Sequence, residues 1–161
     1  MRNDAFGGRC VFESSPRVLA ERPGAEPQMF AEVGFTLAVL EPGKPSGMYH
    51  AESAQEDFLV LAGTCLLLVE DDERPLRAWD FVHCPAGTRH TFVGTGHAPC
   101  VIFMTGARRE GRTIVYPVAE HVRARGAGVE TETDRPREAY APFAHWLPGR
   151  PDAWPELPWT G

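Results

Sequence analysis

The sequence predicts an all-β fold, a single antiparallel β-sandwich or barrel, and three observations lead there. From about Gly34 to Gly106 the chain is a series of short runs rich in Val, Leu, Ile, Phe and Thr, residues that favour extended backbone. Turn signals built from Gly, Pro and Asp separate those runs roughly every 8 to 12 residues, the spacing of sandwiches and barrels. Gly or Pro also interrupts every window long enough for an ordinary helix, so a helix-rich reading fails.

In chain order, residues 1–33 are broken by Pro16, Pro23, Gly24 and Pro27. They read as an irregular extension packing on the barrel, with one short strand around Arg9 to Glu13. The barrel itself is expected over residues 34–117. "FTLAVLEPG" (Phe35 to Gly43) is β-rich and ends in a Pro-Gly turn. "DFLVLAG" and "TCLLLVEDDE" follow one another directly, and Ala62-Gly63 reads as a tight hairpin turn between them. "RPLRAWDFVHCP" gives a short edge and a strand ending at Pro85, then "RHTFVG" and "PCVIFMTG" complete the set. "TIVYPV" is a last strand. Residues 118–161 form the remainder. "VAEHVRARGAG" has helical spacing and stops at Gly126. The tail from Arg135 holds six prolines and many aromatics, too apolar for a free linker. It is expected to lie extended on the barrel exterior, or across a two-fold axis on a second subunit, and not as a lid over the site.

At 161 residues the chain suits one domain. Its net charge of -6 and its scattered arginines argue against nucleic acid or an anionic membrane surface as partner. No apolar run approaches the roughly 18 residues of a membrane span, and the first residues lack a signal peptide's apolar stretch; a cytoplasmic location is expected. Cys10, Cys65, Cys84 and Cys100 are far apart with no CxxC, so they read as reduced thiols, three of them buried in strands.

The chemistry concentrates in "MYHAESAQEDFLVLAG", Met48 to Gly63. Side chains two apart on a strand share a face, so His50 and Glu52 point the same way. Glu56 stands at the mouth of the next strand. Downstream, the turn in "PAGTRH" aims His90 back across the sheet. Two imidazoles and two carboxylates suit Zn, Fe(II), Mn, Ni or Co, not the all-oxygen shell that calcium prefers. His97 reads as an exposed turn residue. His83 reads as structural, and its neighbour Cys84 must face the opposite way. His121 and His145 read as surface or packing residues, and Tyr49 faces away from the site.

These residues resemble the two motifs of the cupins, G-x5-H-x-H-x(3,4)-E-x6-G and G-x5-P-x-G-x2-H-x3-N. The first reads here as Gly43, six residues, His50, Ala51, Glu52, three residues, Glu56, six residues, Gly63. The second reads as Trp79, five residues, Pro85, Ala86, Gly87, two residues, His90, three residues, Gly94. The resemblance, to small single-domain RmlC-like cupins, covers roughly residues 34–106 and implies a jelly-roll sandwich. It also implies one divalent metal ion on His50, Glu56 and His90, with Glu52 a substituted fourth ligand. Three departures stand out: Glu52 replaces a histidine, Trp79 a glycine and Gly94 an asparagine. Two histidines with two carboxylates neutralise a divalent ion and weaken its Lewis acidity. If Glu52 swings aside, the other three form a two-histidine, one-carboxylate triad with open positions. The resemblance further implies a small-molecule pocket and a homodimer. The function is then a metalloenzyme of dioxygenase, isomerase or decarboxylase type on a small organic acid or sugar. The alternative is a binding or sensor protein in which the metal is structural or absent. No arginine is placed by motif to anchor a substrate anion, and Lys44 is the only lysine.

Overall fold

A computed structural model describes residues 1–11 and 30–159 of the chain. The described strands are β1 (Arg2–Asn3), β2 (Gly7–Val11), β3 (Val33–Leu40), β4 (Ala51–Glu52), β5 (Glu56–Ala62), β6 (Thr64–Val69), β7 (Asp72–Arg77), β8 (Phe81–Cys84), β9 (His90–Thr95), β10 (Cys100–Ala107) and β11 (Ile114–Val115). They form three sheets, a large one in the order β1-β2-β3-β10-β5-β8, a three-stranded one in the order β7-β6-β9, and the pair β11-β4. All the pairings are antiparallel. The all-β fold expected from the turn spacing is the fold observed.

Period-two patterning puts the core between the large and the three-stranded sheet. Ala38 and Leu40 of β3, Phe58 and Val60 of β5, and Cys100 and Ile102 of β10 meet Cys65 and Leu67 of β6 and Phe92 of β9. The alternate residues of the large sheet are apolar as well. Val39 and Val101 point outward and are covered by Ala153 and Leu157, which flank a 3-10 turn at Trp154–Glu156. Pro75 lies in β7, the outer strand of its sheet, where its missing N–H leaves no ladder bond unmade.

The expected hairpin at Ala62-Gly63 is not one. β5 pairs with β10 and β8, whereas β6 pairs with β7 and β9. Gly63 is therefore the corner at which the chain leaves one sheet for the other. Its φ is +73°, and a Cβ there would lie 2.5 Å from the Pro99 carbonyl oxygen. Adjacency in sequence suggested pairing; the close approach of Pro99 turns the chain out of the plane instead.

The N-terminal segment is more regular than its composition implied, because β1 and β2 extend the large sheet through β3. The break-up expected from Pro16 to Pro27 lies outside the described residues. After β11 come two single-turn helices, α1 (Glu120–Arg123) and α2 (Pro136–Ala139). The four thiols are free, with Cys65, Cys84 and Cys100 buried.

Candidate metal centre

The centre is built by backbone pairing before any side chain is considered. The His50 N–H donates to the His90 carbonyl at 3.2 Å, and the His90 N–H donates to the His50 carbonyl at 2.9 Å. Residues 40 apart in sequence thus become a hydrogen-bonded antiparallel pair, whose side chains share a face. The rings lie with centroids 5.0 Å apart. Glu56 opens β5 opposite Gly106 of β10.

The ring orientations are fixed. His50 Nδ1 lies 2.8 Å from the Met48 carbonyl oxygen and His90 Nδ1 lies 3.0 Å from that of Thr88. A carbonyl can only accept, so each Nδ1 carries the proton and each Nε2 presents a lone pair. Those two Nε2 atoms lie 3.7 and 3.5 Å from the same Glu56 oxygen. His50, Glu56 and His90 offer ligand atoms all within 4.8 Å of one another. Glu52 does not join them. It lines the same cavity, but its carboxylate lies 3.2 Å from Arg112 Nη1.

Burial sets the charge states. It holds His90 down to about 4, with His50 adding to the effect, and it lowers His50 as well. Both imidazoles are therefore neutral at pH 7, the ligating form. Burial, reinforced by Glu52, pushes Glu56 up to about 8. It also raises Glu52, which Arg112 partly counters. Two lone-pair nitrogens facing one carboxylate oxygen make a donor set suited to a divalent ion, which would displace the proton that burial leaves on Glu56.

The cluster sits in a cavity of about 830 Å³. One side is apolar. The Phe58 ring meets His90 edge-on at 5.0 Å, and Tyr116 lies 5.9 Å from His50. The outer wall departs from expectation. Tyr140, Phe143 and Trp146 of the tail line this cavity and pack on Phe6, Met48 and Tyr116. The tail therefore divides, its first part walling the cavity and its last part covering the large sheet. A tail kept clear of the site is corrected accordingly: Tyr140, Phe143 and Trp146 gather on the Phe6 ring, which holds them at the cavity wall.

The arginines are the signal the sequence did not expose. Arg9, Arg108, Arg112 and Arg137 all line the cavity, although they lie far apart in the chain and belong to no motif. The remaining histidines stay at the periphery. His83 pairs with Asp57 at 2.6 Å in an exposed position. His97 is exposed, and His121 sits edge-on to Tyr49. His145 is exposed yet lines the cavity. Tyr49 faces away, packed among Leu68, Val93 and Val122. Gly94 is enforced by contact, since a Cβ would lie 2.4 Å from the Glu41 carbonyl oxygen and asparagine does not fit.

Comparison with known proteins agrees with this architecture. Residues 36–106 match the cupin domain family. Among solved structures, a sugar phosphate isomerase of the cupin superfamily from Silicibacter pomeroyi is 28% identical. The match covers 70% of this chain and 68% of that one, with a TM-score of 0.53. A Thermus thermophilus protein has a TM-score of 0.52 at 16% identity, over 68% of this chain and 90% of that one, and supports the fold alone. No curated protein matched the chain. No helix among the described residues is long and apolar enough to cross a membrane.

Proposed function

From a chain built around a cupin domain at residues 36–106, we propose a metal-dependent enzyme of isomerase type acting on a small sugar or organic acid. The observation that carries the reading is the His50, Glu56 and His90 cluster, opening into a cavity of small-molecule size. The similarity to the Silicibacter pomeroyi sugar phosphate isomerase supports the reaction class.

His50, Glu56 and His90 are the ligands in this reading, with Glu52 left off the ion. The bound ion would supply Lewis acidity toward a substrate oxygen. The protein's own groups then divide the remaining work. The Met48 and Thr88 carbonyls hold the imidazoles in the ligating tautomer. Glu52, beside the cluster and not part of it, is placed to take a proton from one substrate carbon and return it to the next. Arg112 keeps that carboxylate oriented and favours its ionised form. Phe58 and Tyr116 give the cavity an apolar wall beside the two histidines.

Metal analysis of protein purified without chelator or nickel resin tests the assignment. About one divalent transition ion per chain is expected, with Zn, Fe(II), Mn and Ni all compatible with the donor set. His90→Ala should abolish stoichiometric metal. Glu52→Ala should retain the ion and lose turnover. Wild-type protein that carries no ion and takes none up on dialysis would end the reading.

A further inference from the structure

Arg9 is a charged group without a counter-charge among the described residues. It lies on β2, paired opposite Ala38, outside the stretch that matches the cupin family. Its Nη2 donates to the Ser46 carbonyl. Its guanidinium carbon lies 4.7 Å from the centre of the Trp146 ring, a stacking arrangement that fixes the planar group. Its Nε–H is enclosed and has no acceptor among the described residues. Among the described residues no carboxylate pairs with Arg9, whereas Arg112 has Glu52. Burial pulls Arg9 below its ordinary value, because desolvation disfavours the charged form.

A half-buried arginine whose Nε–H is enclosed, and whose guanidinium among the described residues meets only a carbonyl and an indole face, costs stability. Such a cost is tolerated where a ligand supplies the missing charge. The surroundings point the same way. Four arginines line the cavity against two carboxylates, Glu52 and Glu56, in a chain whose net charge is -6. A divalent ion on the histidine cluster would make the cavity more positive still. Gly47 leaves space where Arg9 and Tyr140 come together. A Cβ there would lie 3.1 Å from Arg9 Nη2 and 2.9 Å from the Tyr140 hydroxyl. The Tyr140 hydroxyl in the same corner accepts from the Met48 N–H at 3.0 Å.

We propose that Arg9 is the anchor for an anionic group, carboxylate or phosphate, on the small molecule that this cavity takes. Trp146 and Tyr140 hold the guanidinium toward that group. The anion is bound between the N-terminal strand and the C-terminal wall, while the reacting end of the molecule faces His50, Glu56 and His90. This rests on the cavity being a small-molecule site and does not depend on the ion.

Calorimetric titration of the full-length protein at low salt tests it, with inorganic phosphate, glycerol 3-phosphate, malonate and uncharged glycerol as probes. At least one anion should bind saturably and glycerol should not. Preference for the two phosphates or for malonate identifies which oxyanion is meant. Arg9→Met should weaken the anion at least tenfold, without loss of metal and without a lower melting temperature. Arg9→Lys, which keeps the charge and loses the planar fork, should fall between Arg9→Met and wild type. His90→Ala protein should still bind the anion in an Arg9-dependent way, which separates this site from the metal assignment. The proposal is overturned if no anion binds up to the millimolar range, or if Arg9→Met binds like wild type. It is equally overturned if Arg9→Met lowers the melting temperature while Arg9→Lys leaves affinity unchanged, which would make Arg9 a structural tie between Ser46 and Trp146.

Discussion

Glu56 carries a large electrostatic consequence for the site. With the ion stripped by chelator, it stays protonated in the folded protein up to about 8, against an ordinary value of 4.5. Across that interval the folded state holds a proton the unfolded chain has lost, so this contribution to stability falls as pH rises. His90 acts oppositely. Folded, it is held down to about 4 against an ordinary 6.5, so the unfolded chain holds the extra proton there and stability rises with pH between those values. Above pH 6.5 the histidine contribution is complete and the Glu56 decline continues, with Glu52 shifted in the same direction. The melting temperature of chelated protein should therefore drop between pH 6.5 and 8, and Glu56→Gln should at least halve that drop. An unchanged slope in the variant would show that Glu56 is not the titrating group. The three clustered residues were legible because a motif fixes their spacing. The position of Glu52 was not, since its partner Arg112 lies sixty residues away and enters through the β11–β4 pairing.

Among elements, the connection from β7 to β8 shows what a motif position is for. Where the resemblance expects glycine, Trp79 has φ +75° and is 77% exposed. Its N–H is tied to the Val60 carbonyl at 2.8 Å, so the turn is held in a left-handed conformation that disfavours side chains. That conformation costs a non-glycine residue roughly 1–2 kcal/mol, and glycine's greater freedom in the unfolded chain returns about 0.4–1 kcal/mol. Trp79→Gly should raise the melting temperature by roughly 1–4 °C, measured by calorimetry. A decrease would mean that the indole makes a stabilising contact and that the strain argument is wrong. Strand identities from β3 to β10 were readable from composition and turns. Their pairing was less so: "LAGT" reads as a hairpin, and only the approach of Pro99 to Gly63 makes it a corner. A one-dimensional pattern shows where a chain bends and not into which sheet.

At the scale of the whole molecule, the cavity depends on both ends of the chain. Phe6 meets Phe143 with ring centroids 4.7 Å apart and Tyr140 at 5.4 Å, and the Arg2 N–H donates to the Leu147 carbonyl at 3.0 Å. Composition showed that the aromatic tail must be pinned somewhere. It did not show where, because the tail's partners come from strands with no motif. Replacing Phe143 and Trp146 together by alanine removes two half-buried rings, a loss of about 2 kcal/mol by area and so roughly 4–8 °C in melting temperature. Metal content should not change. Loss of the ion in this double variant would show that the wall and the ligand cluster are one cooperative unit. If they are separate, the pairing of His50 with His90 has an evolutionary consequence. The residues of the candidate ion cluster and those of the outer cavity wall occupy different stretches of chain, so mutation can alter what the cavity admits while the cluster is inherited intact.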